Sequence, residues 1–154
     1  MFSRSSGYAI QALTYLAAQP SGKLVGAREI ATSLEIPMPF LWKILRKLSQ
    51  QKLVRSFKGV HGGYELARPA SSIRLSEILL IGHDSSLMGA CVLGLSLCDD
   101  RDPCPLHEHW KDVRTEIERK IKSTRLSDLV SKSATDGGKH SRRHALVAVQ
   151  GARS

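Results

Sequence analysis

Several things are scarce in this sequence, and each shortage narrows what the chain does. Acidic residues are outnumbered: 14 Asp and Glu stand against 23 Lys and Arg, for a formal net charge of +9 and a pI of about 9.8. That balance favours a polyanionic partner. Aromatic residues make up only 5% of the chain, so the 42% hydrophobic fraction is expected to build an aliphatic core. No stretch reaches the roughly 18 apolar residues of a membrane span, and no membrane partner is expected. There are three cysteines, all between residues 91 and 104, and an odd number in one short stretch argues against a secreted disulfide framework. No nucleophile motif or pair of carboxylates stands out. Gly59, Gly62 and Gly63 do not form a phosphate-binding fingerprint, so the chain does not read as an enzyme. Phe2 to Ala18 has a superficial likeness to a leader peptide. Gln11 and Thr14 interrupt its apolar run, an amphipathic helix explains it better, and the chain is read as cytoplasmic.

What is present is unevenly placed. Residues 1–75 hold eleven Lys and Arg against three Asp and Glu, a net +8; residues 76–130 hold seven against ten, a net −3; residues 131–154 hold five against one, a net +4. A uniformly solvated surface has no need of that split, which points to a nucleic-acid face in the first half.

The hydrophobic period gives the elements. Ala9, Ile10, Leu13, Leu16 and Ala17 lie at helical spacing over residues 5–18, and Pro20-Ser21-Gly22 ends that helix. Residues 26–34, with Ile30, Ala31 and Leu34 on one side, predict a second helix, followed by a tight turn at Glu35-Ile36-Pro37. A third helix over about 39–51 accommodates Pro39 in its first turn. It places Phe40, Leu41, Ile44, Leu45 and Leu48 inward and leaves Lys43, Arg46 and Lys47 more exposed. Leu53 to Phe57 then alternates like a strand, Lys58 to Gly63 is a glycine-rich turn, and Tyr64 to Leu66 returns as a second strand closed by Pro69. Residues 74–81 hold another short helix. A long helix is expected from Pro105, with Leu106, Trp110, Val113, Ile117 and Ile121 as a narrow apolar stripe on a charged rod. Such a stripe needs the body of its own domain or a second chain to cover it. The expected fold is mainly α with a small β-hairpin wing: a winged helix-turn-helix over residues 1–75, a connecting helix and cysteine-bearing loop over 76–104, a dimerisation helix over 105–130, and a disordered basic tail over 131–154.

In a helix-turn-helix the second helix of the pair enters the major groove and the first braces it. The reader is then helix 39–51, whose Pro39, Phe40, Trp42, Lys43, Arg46 and Lys47 are the candidate DNA-facing residues. Lys58 and His61 at the hairpin tip suit the backbone or the minor groove, and Arg4 at the start of the first helix suits a phosphate. Taken singly, Lys47 or Lys52 reads as a solvated charge. Charge asymmetry, three helices and a basic glycine-rich wing together point to double-stranded DNA, with protein interaction as the alternative use of such a module.

The cysteines occupy Cys91-Val-Leu-Gly-Leu-Ser-Leu-Cys98-Asp-Asp-Arg-Asp-Pro-Cys104-Pro-Leu-His107. Thiolates are the usual ligands of iron–sulfur clusters, and imidazole replaces one of them in some centres. His107, three residues after Cys104 in the first turn of the long helix, is placed to point back at the loop; His109 faces another side. A carboxylate or a residue of a partner chain is an alternative fourth ligand. Buried structural cysteines fit poorly beside Asp99, Asp100, Arg101 and Asp102. Zinc held by three cysteines and a histidine competes, weakened by ligand gaps longer than those of zinc knuckles. Direct thiol redox sensing is the third option.

With these residues assembled, the chain resembles the Rrf-type bacterial regulators, the IscR-, NsrR- and RirA-like winged helix-turn-helix family. The resemblance covers about residues 1–130 and rests on Tyr8-Ala9, Leu41 and Leu48, Gly59 with Gly62-Gly63-Tyr64, the segment Ala70-Ser71-Ser72-Ile73, and the three cysteines. It implies a transcription regulator, expected to be a repressor. It also implies a homodimer crossed through its long helices, on a partly palindromic operator whose affinity responds to a 2Fe–2S or 4Fe–4S cluster sensing iron, redox or nitric oxide status. Cys91, Cys98 and Cys104 fall on the family's cysteine ligands, and His107 falls where IscR-like members use histidine. Where some relatives draw an acidic ligand from the partner's first helix, this chain has Tyr8, which favours His107. The chain departs from the family at Pro37 and Pro39, where relatives often carry small hydroxyl residues that can donate to DNA, at Trp42, a bulky aromatic on the reader helix, and in a Cys91–Cys98 gap one residue longer than in IscR-like members. A zinc-stabilised or thiol-redox regulator on the same fold is the alternative.

Overall fold

The computed structural model describes residues 2–82, 91, 93 and 100–135, the last five by backbone alone. Helix α1 (Arg4–Ala17) starts at Ser3, whose hydroxyl accepts from the Ser6 N–H at 3.2 Å and so satisfies one of the donors orphaned at a helix start. Its apolar face, Ala9, Ala12, Leu13 and Leu16, is fully or nearly fully buried. Helix α2 (Ala27–Leu34) contributes Ile30 and Ala31, and ends at Glu35 in the left-handed conformation (φ 53°). The reader helix α3 (Met38–Gln50) carries proline in its first turn and buries Leu41, Ile44, Leu45 and Leu48 against α1 and α2. Each such leucine contributes about 1.5–3 kcal/mol of burial, so the α1–α3 crossing is the mechanical base of the reader helix.

Strands β1 (Val54–Phe57) and β2 (Gly63–Leu66) form the antiparallel hairpin, in the register Val54–Leu66, Arg55–Glu65, Ser56–Tyr64 and Phe57–Gly63. The wing is fastened to the helices by Val25, which exchanges two backbone hydrogen bonds with Tyr64 at 3.0 and 2.8 Å. Helix α4 (Leu75–Leu79) is capped by the Glu77 carboxylate, which accepts from the Arg74 N–H at 3.0 Å.

Two expectations are corrected here. Phe40, expected inward, is 50% exposed; it lies on the flank of α3 and meets Tyr8 in a tilted pair, with ring centroids 6.5 Å apart and the rings at 59°. The long helix does not run to residue 130. Helix α5 spans His107–Ser123, and the chain extends through Thr124 and Arg125 before helix α6 (Leu126–Thr135) begins. The break is a short antiparallel bridge: Leu75 N–H donates to Thr124 O, and Leu126 N–H donates to Ile73 O, both at 2.9 Å. It returns α6 to the core, where Leu126 is fully buried and Leu129 packs on the cluster. Residues 131–135, expected in the tail, continue α6; the rest of that tail call lies outside the described residues.

Among the described residues the apolar stripe of α5 is only partly covered, with Trp110 half-buried. Ile121 is buried beside α4, but Leu106, Val113 and Ile117 are 45%, 50% and 37% exposed.

Candidate nucleic-acid interface and metal centre

Helix α3 turns about 100° per residue, so Pro39, Trp42, Lys43 and Arg46 share one arc opposite Leu41, Ile44, Leu45 and Leu48. All four of the first group are exposed, Trp42 by 58%. Lys47 sits on the flank, half-buried, and its ammonium donates to the Ile81 carbonyl at 3.0 Å. It therefore ties α3 to the 3-10 turn Leu80–Gly82 that follows α4 and is less exposed than its spacing suggested. Phe40 and Lys47 share that flank with Arg4, Ser5, Tyr8, Lys43 and Ile44, which together line a cavity of about 140 Å³ between α1 and α3.

Part of the positive charge is neutralised within the fold. Lys23, Arg55, Arg68, Lys111, Arg119 and Lys122 are each paired with a carboxylate. Arg4, Lys43, Arg46 and Lys58 have no carboxylate partner among the described residues. Arg28, Lys52 and Arg114 share that lack, so it does not by itself mark a DNA face, but it leaves Arg4, Lys43, Arg46 and Lys58 available to phosphates. At the wing tip, Lys58 and His61 are exposed and Val60 is 97% exposed. Gly59 there adopts φ +103°, and the Gly62 N–H closes the turn on the Gly59 carbonyl at 3.0 Å.

The residues of the other candidate site lie before and at the start of α5 in the chain. Cys91 is buried and Cys104 half-buried, neither in a disulfide; Cys98 lies outside the described residues. His107 is 3% exposed, and its backbone N–H donates to the Cys104 carbonyl at 2.9 Å. Its Nε2 is 2.8 Å from Asp100 Oδ1, and the Lys111 ammonium donates to the same oxygen at 3.0 Å. Hydrogen bonds from His107 and then Lys111 hold the Asp100 carboxyl below the usual aspartate range. Among the described residues no three His, Cys, Asp or Glu side chains converge on a point that could hold a metal ion. The donor chemistry nonetheless suits an iron–sulfur cluster or zinc: soft thiols in the segment that leads to a buried imidazole whose ring is oriented by a carboxylate. Asp100 is the partner of the candidate ligand His107 that spacing missed. Its one signal was the acidic run between Cys98 and Cys104, seven residues before His107.

The family model for Rrf2, described as an iron-dependent transcriptional regulator, matches residues 2–132. The chain belongs to the Rrf2 family. It is 35% identical over 127 residues to the HTH-type transcriptional regulator IscR of Cereibacter sphaeroides, covering 80% of this chain and 82% of that one. Among solved structures, the IscR of T. potens is similar with a TM-score of 0.66 and 25% identity, covering 86% of this chain and 88% of its own. CymR, the global cysteine regulator of B. subtilis, shares the fold with a TM-score of 0.70 at 22% identity, over 86% of this chain and 97% of that one. This Rrf2 chain is therefore a winged-helix transcription regulator and not an enzyme, and none of its described helices is long and apolar enough to cross a membrane.

Proposed function

We propose that this Rrf2 protein is a cytoplasmic repressor whose affinity for a partly palindromic DNA operator is set by an iron–sulfur cluster. The observation that carries the reading is the joining of two features in one chain. One is a winged helix whose Arg4, Lys43, Arg46 and Lys58 lack carboxylate partners among the described residues. The other is a three-cysteine segment that ends on a buried histidine.

In this reading Pro39, Trp42, Lys43 and Arg46 face the major groove, Lys58 and His61 reach along the wing, and Arg4 meets a phosphate. The stripe of Leu106, Val113 and Ile117 is covered by the same stripe of a second copy, which sets the spacing of two half-sites. Cys91, Cys98 and Cys104 would hold the cluster with His107 as fourth ligand. When bound, the cluster supplies a redox- and iron-sensitive cross-link between the loop and α5. Asp100 either remains behind the imidazole as the carboxylate that orients it or yields its place at Nε2 when His107 ligates.

A second reading is thiol sensing on the same scaffold, with zinc as a further occupant of the same donors. It is favoured by the engagement of His107 with Asp100 and by the fold shared with a cysteine regulator. Anaerobically purified protein decides among the three. Visible absorbance with matching iron and acid-labile sulfide is expected. Colourless protein with stoichiometric zinc would move the cysteines to zinc, and colourless metal-free protein that resists reconstitution would move them to thiol chemistry.

A further inference from the structure

From Met38 to Leu48 the reader helix contains no carboxylate, amide or hydroxyl side chain. This restricts what it can recognise. Adenine N6 and cytosine N4 are donors, and a side chain reads them by accepting; nothing on the first three turns of α3 accepts. Lys43 and Arg46 can donate to guanine O6 and N7 or to phosphates. The largest remaining group on the outward arc is Trp42, 58% exposed, set between Pro39 one turn before it and Arg46 one turn after. An exposed indole so placed is apolar surface waiting for cover. The unneutralised cations on either side of it select a polyanion over an apolar protein surface. In the major groove the one apolar feature is the 5-methyl group of thymine.

We propose that Trp42 is a specificity-determining residue that recognises thymine through its methyl group, so that an operator half-site carries at least one thymine under α3 whose methyl is needed for binding. The inference rests on the docking of α3 in the major groove proposed above. Covering one methyl with the indole is worth about a fourfold change in affinity. Because Trp42 sits outside the core, its replacement leaves the packing of Leu41, Ile44 and Leu45 untouched.

The test uses the full chain and a duplex it enriches from a random-sequence library. Each thymine of that duplex is replaced in turn by deoxyuridine, which differs only in the missing methyl. Affinities are measured for the unsubstituted protein, Trp42→Ala and Trp42→Phe. The expected result is a loss of about fourfold at one or two symmetry-related thymines for the unsubstituted protein. Trp42→Ala should bind the thymine duplex more weakly and ignore the swap, while Trp42→Phe should keep part of the penalty. Equal binding of all uridine duplexes by the unsubstituted protein would overturn the inference and leave DNA docking intact. So would a uridine penalty that survives in Trp42→Ala. Failure to enrich any sequence would instead overturn the docking reading, and this inference with it.

Discussion

Replacing Gly63 by alanine tests how the wing is held to the body. A Cβ at Gly63 would lie 2.9 Å from the carbonyl carbon and oxygen of Val25 and 3.0 Å from its nitrogen. All three are backbone atoms of the residue that exchanges two hydrogen bonds with Tyr64, so no side-chain rotation relieves the overlap. Either the hairpin moves away from Val25 or the segment before α2 shifts. Overpacking of this kind costs about 1–3 kcal/mol, and weakening two buried backbone hydrogen bonds costs about 0.5–1.5 kcal/mol each. A total of about 2–6 kcal/mol should lower the thermal midpoint by about 4–24 °C for a chain of this size. The contrast is Gly59→Ala, at φ +103° with nothing within 4 Å of the added Cβ. Its cost is backbone strain alone, about 1–2 kcal/mol, confined to the tip. Thermal unfolding followed by circular dichroism, at matched protein concentration because any association between copies would shift the midpoint, reads both. A Gly63→Ala midpoint equal to that of the parent would refute the reasoning, as would Gly59→Ala being the more damaging change.

Three further outcomes are expected. Neutralising Lys43, Arg46 or Lys58 singly should flatten the salt dependence of operator binding by about one unit of slope each, and an unchanged slope would reassign that residue to a bystander. Val113→Glu with Ile117→Glu, both on exposed positions of α5, should leave the helical circular dichroism intact while the mass in sedimentation falls to the 16.9 kDa of one chain; a persistent dimer would place the interface elsewhere. Burial pushes the Glu77 carboxyl up, but hydrogen bonds from Arg68 and the Arg74 backbone, with the charges of both, bring it below the ordinary glutamate value. A lowered carboxylate stabilises the fold above the unfolded-state pKa and loses that contribution as pH falls through the folded value. Arg68→Ala should therefore cost under about 1 kcal/mol at neutral pH, given its partial exposure, and the difference should vanish in acid. A cost that stays constant across that range would assign Arg68 a packing role instead.

The helices and wing were legible because each has a local signature. The apolar spacing of Leu13 and Leu16 in α1, and of Leu41, Leu45 and Leu48 in α3, matches their burial, and the glycines at 59, 62 and 63 mark the turn. Phe40 was misassigned because its position on α3 falls between the buried and exposed arcs, where the neighbour, here Tyr8, decides. The end of α5 carries no glycine or proline; its break comes from backbone pairing of residues 73–75 with 124–126, a contact between segments about 50 residues apart that no local pattern announces. The left-handed cap at Glu35 likewise lacks the glycine that usually marks one. Of the candidate metal site, residue types and spacing were readable, whereas the Asp100–His107 pair depends on how the loop folds onto α5.

The measurement that bears most directly on the central claim is operator affinity for three forms of the full chain under anaerobic conditions: cluster-loaded, cluster-free, and Cys91→Ala with Cys98→Ala and Cys104→Ala. Cluster control predicts that the loaded form differs from the other two, and that those two agree with each other. Equal affinity of all three would contradict it, leaving a winged-helix DNA-binding protein whose cysteines serve some other end.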